Sequence, residues 1–167
     1  MRHSYMPIKV QTKQVAKAIG QNLPISPKVS IEICNFLRGK DVDDAITILG
    51  RVREKTQAIP YKRFANAAGH KPGMAAGRYP IKAAGEFLKL LQNAKANASN
   101  QGLTGALRIT HIAANRASEP IRARAKERIS FKRAHVEVFL TEVQDAKPRA
   151  KAKTEPKTAK EPEQVSA

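Results

Sequence analysis

The sequence predicts an α+β protein: a small antiparallel sheet of about three strands packed on three helices, with a long β-hairpin protruding from the body. Apolar residues recur at helical spacing in three stretches between residues 27 and 100. After Gly105 the apolar period drops to two, in "ALRITHIA" from Ala106 and again in "AHVEVFL" from Ala134. The stretch between these two runs is strongly basic and far longer than the two to five residues, roughly, of an ordinary hairpin turn.

In chain order, residues 15–23 supply a third strand, although Gly20 interrupts a weak alternation. In "PISPKVSIEICNFLRGK", Ser26 reads as an N-cap and Pro27 as the first helical residue; Val29, Ile33, Phe36 and Leu37 form the apolar stripe, and Gly39 stops the helix. A second helix starts at Asp41. Asp43 and Asp44 lie in its positive first turn and Arg51, Arg53 and Lys55 toward its negative end, with Val42, Ala45, Ile46, Leu49 and Val52 facing inward. Pro80 opens a third helix that buries Ile81, Ala84, Leu88, Leu91 and Ala94 and fades near "NASNQG" at Gly102. Beyond it, Leu107 and Ile109, then Val136, Val138 and Leu140, present one face of the sheet to the helices.

Two segments lack a core pattern. Residues 61–79, "YKRFANAAGHKPGMAAGRY", form a long loop between the second and third helices, expected to be mobile alone and ordered against a partner. From residue 146 the chain is Ala, Lys, Pro, Glu and Thr with almost nothing to bury, the composition of a disordered tail. The expected organisation is one domain over 1–145, its hairpin at about 106–142, and a tail over 146–167.

Charge narrows the function. The chain of 167 residues carries 31 Lys and Arg against 14 Asp and Glu, a net charge of +17 that repels itself unless a polyanion neutralises it. Nucleic acid is the expected partner. No apolar run approaches the roughly 18 residues of a membrane-spanning helix, and "MRHSYMPIKV" lacks the apolar core of a signal peptide, so a cytoplasmic protein without membrane contact is expected. Cys34 is the single cysteine, which excludes an internal disulfide, and its place in "IEICNFL" makes it a packing residue. His3, His70, His111 and His135 show no metal-ligand spacing. Gly69, Gly73 and Gly77 lack the Gly-Lys-Ser/Thr ending of a phosphate loop. No nucleophile or acid/base pair has a recognisable context. Neither an enzyme, nor a metal, a cofactor or a small-molecule substrate is expected.

The basic stretch 121–133 therefore carries the functional argument: six bases, Arg122, Arg124, Lys126, Arg128, Lys132 and Arg133, stand against Glu127 alone. It reads as a solvated loop, as a short helix with Ile121, Ala125 and Ile129 on one face, or as the far part of a hairpin whose arginine forks engage phosphates. With arms of about ten residues, the hairpin would stand on the order of 30 Å out and need something to sheathe it. The helical reading has a functional counterpart, a DNA-binding protein using 121–129 as its groove reader.

"ISPKVSIEICNFLRGKDVDDAITIL", "YPIKAAGEFLKLLQNAKANA", "GLTGALRITHIAANR" and "RARAKERISFKRAHVEVFL" together resemble the ribosomal protein family numbered twenty-two of the large subunit, in order from about Val15 to Val143. The "GHKPGMAAGRYP" segment is similar to the archaeal and eukaryotic branch. The family's hairpin tip reads like Pro-Arg-Ala-Arg-Gly-Arg; Arg122, Ala123 and Arg124 fit, whereas Lys126 and Glu127 replace the glycine region. The resemblance implies a structural protein bound to large-subunit ribosomal RNA, with neighbouring ribosomal proteins as partners and a hairpin lining the exit tunnel near the nascent peptide. Charge and position then nominate the RNA contacts: Lys28, Lys62, Arg63, His70, Lys71, Arg78, Arg108, His111, Arg116, Arg122, Arg124, Lys126, Arg128, Lys132, Arg133 and His135.

Overall fold

The structure, a computed structural model, describes residues 15–124 and 127–143, with the backbone alone at 122–124, 127 and 128. The expected tail at 146–167, His3, Ala125 and Lys126 lie outside the described residues. In order the elements are β1 (Val15–Leu23), α1 (Pro27–Leu37), α2 (Val42–Arg53), β2 (Ile59–Pro60), β3 (Gly77–Arg78), α3 (Ile81–Asn100), β4 (Leu107–Arg116), β5 (Ile121–Arg124), β6 (Glu127–Ser130) and β7 (Ala134–Glu142). The α+β expectation holds. Three helices accompany a three-stranded antiparallel sheet in the order β1-β7-β4.

β7 is the central strand and the most buried of the three. Ala134, Val136, Val138 and Leu140 alternate on its inner face and are fully buried against the helices. On one side Val15 pairs with Thr141 and the register runs to Gly20 opposite Val136; on the other Leu107 faces Glu142 and Arg116 faces Ala134. β1 buries Ala16 and Ala18 and packs Leu23 against the core, and α3 packs on this strand and on α2. The Asn97 side chain donates to the carbonyl of Lys17 (3.0 Å), tying α3 to β1.

α1 starts where the Ser-Pro pair predicts. Ser26 is extended (φ −75°, ψ 132°) and Pro27 opens the helix, but Ser26 caps through its carbonyl, which accepts from Ser30 N–H, and its hydroxyl makes no capping bond. After the helix Gly39 takes φ +76°, a conformation open to glycine without strain. The turn hooks onto β4 there, as Gly39 N–H donates to the carbonyl of Ile109 and Ile109 N–H donates to that of Lys40. Asp41 sits at the N-cap of α2 without a side-chain capping bond, its carboxylate drawn instead to Arg108 on β4 (3.3 Å).

Two features depart from strict periodicity. β4 slips its register between Ile109 and His111, so Ile112 rather than His111 turns inward and both isoleucines are fully buried. In α3 the buried face is Ala83, Ala84, Phe87, Leu90, Leu91, Ala94 and Ala98. Of the expected stripe Ala84, Leu91 and Ala94 are buried, but the face is rotated slightly: Ile81 is 40% exposed and Leu88 only half-buried, while Phe87 and Leu90 are buried instead. Truncation separates the two phases. Leu91→Ala is expected to cost about 2–5 kcal/mol and Leu88→Ala distinctly less, about 1 kcal/mol, read from urea midpoints at constant m; equal costs would contradict the observed rotation.

Between β4 and β7 the backbone continues as a second antiparallel pair, β5 with β6, from Ile121 opposite Ser130 to Arg124 opposite Glu127. Ala117 N–H donates to the carbonyl of Arg133 (3.1 Å) and Phe131 N–H to that of Pro120 (3.0 Å), bridging the main sheet and this ladder. The reading of 121–129 as a groove-reading helix is thereby corrected. Strands flank the segment on both sides, and within it residues 121–124 pair with 127–130. Among the described residues no helix is long and apolar enough to cross a membrane.

Candidate nucleic-acid interface

Residues 61–79 carry Lys62, Arg63, His70, Lys71 and Arg78 and no acidic residue. The loop is not shapeless. Ile59 and Pro60 pair with Arg78 and Gly77 at its neck, Tyr61 N–H donates to the carbonyl of Ala76 and Gly77 N–H to that of Gly69. At Gly77 the side chains of Met74 and Lys71 lie close over the backbone, and a Cβ there would come within 2.6 Å of Met74 Sδ, so a larger residue would make that flexible side chain move. The Arg78 guanidinium folds back on the carbonyls of Asn66 and Ala67, and His70 Nδ1 lies 3.2 Å from the carbonyl of Ala75.

What anchors this loop is a residue the sequence reading passed over. Glu32, on α1, is 1% exposed, and its carboxylate accepts the backbone N–H groups of Lys62 (3.3 Å), Arg63 (2.8 Å) and Phe64 (2.7 Å). A buried carboxylate is tolerated when several donors meet it, and here it satisfies a strand of loop backbone that has no ladder partner. The signal was present: Glu32 falls three residues after Val29 and four before Phe36, inside the apolar stripe. Because the loop is moored this way, Glu32→Ala is expected to cost about 2 kcal/mol, from N–H groups left without an acceptor. Limited proteolysis should then cut within 62–78 much faster than in the parent chain; unchanged cleavage would show that the mooring is dispensable.

The loop's rings are covered by cations. Lys28 from α1 and Arg63 both stand over Phe64 (5.7 and 5.4 Å to the centroid), Lys71 over Tyr79 (5.2 Å), and Arg78 over Tyr61 (5.7 Å). Tyr61 is buried, and its hydroxyl has no hydrogen-bond partner among the described residues. Burial raises the pKa of that phenol, the Arg78 charge opposing the shift. Burial likewise pushes the Cys34 thiol up to about 12, so it stays protonated and serves as packing on α1.

The remaining nominated residues divide by their partners. Arg108 is paired with Asp41 (3.3 Å), Arg116 forks onto Glu119 (3.1 and 2.9 Å), and His111 Nε2 meets Glu137 (3.2 Å) with its ring against Phe139. His135 Nδ1 accepts Asn22 N–H (3.3 Å). Lys132 and Arg133 lie on the link between β6 and β7. Arg122, Arg124 and Arg128 lie on β5 and β6, and Lys126 falls outside the described residues. The structure thus gathers Lys28, Lys62, Arg63, His70, Lys71 and Arg78 around one loop and leaves the others along the β4–β7 region. Among the described residues no group of His, Cys, Asp or Glu is assembled as metal ligands.

A small α+β body with an acid-free loop on one element pair and a basic two-stranded ladder on another is the form of a protein that meets a polyanion. Over residues 18–141 the sequence matches the family described as ribosomal protein L22p/L17e, and the chain belongs to that family. It is similar to the large ribosomal subunit protein uL22 of three archaea. With that of Methanosphaera stadtmanae it shares 44% identity over 118 residues, 68% of this chain and 75% of the relative. For Methanocaldococcus jannaschii the identity is 44% over 113 residues, 65% and 72% of the two chains. For Methanococcus aeolicus it is 42% over 145 residues, 80% of this chain and 95% of the relative.

Proposed function

We propose that the chain is a structural constituent of the large ribosomal subunit and binds large-subunit ribosomal RNA in the cytoplasm. Membership of the L22p/L17e family over residues 18–141 carries this reading. The charge distribution supports it, since the loop at 61–79 has no acid of its own and its single buried carboxylate neighbour, Glu32, is consumed by backbone N–H groups. Residues 1–145 act as one RNA-binding unit and 146–167 as a tail. Residues 106–142 extend as a hairpin that RNA sheathes, with the stretch around 122–128 reaching the peptide exit tunnel beside the nascent chain; neighbouring ribosomal proteins complete its surroundings. Phosphates meet Lys28, Lys62, Arg63, His70, Lys71 and Arg78 from the loop side, and Arg108, His111, Arg116, Arg122, Arg124, Lys126, Arg128, Lys132, Arg133 and His135 along the hairpin. The role is structural, not enzymatic.

The test is sedimentation of the tagged chain in a cell extract through a gradient at high salt. It is expected to travel with large subunits, because a sheathed protein is not released by screening alone. Recovery at the top of the gradient, or with duplex DNA, would reject the proposal.

A further inference from the structure

Phe64 gathers two cations from two different elements, Lys28 on α1 and Arg63 in the loop. Among the described residues neither has a carboxylate within ion-pair distance, and Glu32, the acid that moors this loop, is spent on backbone N–H groups. The end of α1 adds to the positive charge, since its first turn holds no acid and Lys28 stands in it. Two cations at one ring, with no counterion among the described residues, make a place where an anion is favoured. The ring is half-buried while both cations are exposed, so the side chains an incoming partner meets are the cations. Tyr79 under Lys71 and Tyr61 under Arg78 repeat the arrangement in the same loop.

We infer that Lys28 and Arg63, positioned on Phe64, form a phosphate seat that takes the sugar–phosphate backbone of RNA and not its bases. This rests on the RNA-binding reading above and specifies how the loop would read its partner. An aromatic ring that stacks a base must offer a free face; here the chain's own cations occupy the ring, which limits their side-chain freedom before RNA arrives. Recognition through such seats follows the path of the backbone and is indifferent to sequence.

The experiment uses the full chain and three labelled probes: a large-subunit ribosomal RNA fragment, oligo(A) and oligo(U) of equal length. Lys28→Gln combined with Arg63→Gln is expected to flatten the slope of log affinity against log salt on the fragment by roughly 1.5, with circular dichroism unchanged. Phe64→Leu is expected to weaken oligo(A) and oligo(U) by the same factor, within about twofold, because no base touches the ring. An unmoved slope in the double variant, or a larger loss on oligo(A) than on oligo(U) after Phe64→Leu, overturns the seat while the wild-type slope keeps the RNA-binding reading intact. If the wild-type chain binds none of the three probes, both fall together.

Discussion

Replacing Arg122, Arg124, Lys126 and Arg128 together with serine is expected to flatten the salt dependence of RNA binding by about three units, since each phosphate contact contributes somewhat less than one. Over a tenfold change in salt that difference amounts to on the order of a thousandfold in affinity. The body should fold as before. None of the four positions belongs to the helical stripes or to the sheet β1-β7-β4, and the backbone of three of them lies in the separate β5–β6 ladder. The loss should also be similar for RNAs of different sequence, as phosphate contacts position rather than specify. Salt titrations of parent and variant on one large-subunit RNA fragment, with circular dichroism as the control, decide it. An unchanged slope with an intact fold would return 121–133 to a solvated segment.

The second large effect lies in the core. Phe87→Ala is expected to remove about 3–5 kcal/mol of stability, because the ring is fully buried on α3 and the backbone of a packed helix closes only partly over the cavity. Against a total of roughly 5–15 kcal/mol for a domain, such a loss brings the chain near unfolding at physiological temperature. Urea denaturation at constant m measures it. A cost under about 1 kcal/mol would mean that α3 does not bring Phe87 into the centre of the core.

Much of this architecture was legible because local rules and tertiary contacts agree. Ser26-Pro27 and Gly39 mark the ends of α1, Asp41 the start of α2, and Gly102, with φ +77°, the stop after α3. Where they part, the contact won. The helical stripe containing Leu88 and the one containing Phe87 are nearly equivalent on spacing alone, and only the positions of α2 and β1 choose between them. The bulge after Ile109 is set by how β4 must follow β7, which a period-two pattern cannot contain. At the candidate interface the charges were visible but their grouping was not. Lys28 and Phe64 are far apart in sequence and meet only because Glu32 draws the loop onto α1. Likewise Arg108, Arg116 and His111 look like free cations in the sequence, and the fold gives each a carboxylate neighbour.

The central place of β7 dictates when this protein can finish folding. β1 is made long before its hydrogen-bonding partner: Ala18 pairs with Val138, roughly 120 positions later. At synthesis rates of about 5–20 residues per second, β1 waits on the order of 6–24 seconds with an open edge. The helices α1, α2 and α3, whose contacts are nearer in sequence, have time to form meanwhile, whereas the sheet closes in a single late event when β7 inserts between two strands already present. A chain stalled before residue 134 would therefore expose two unsatisfied strand edges, and quality control would meet it as a helical, aggregation-prone fragment rather than as a loosened native protein.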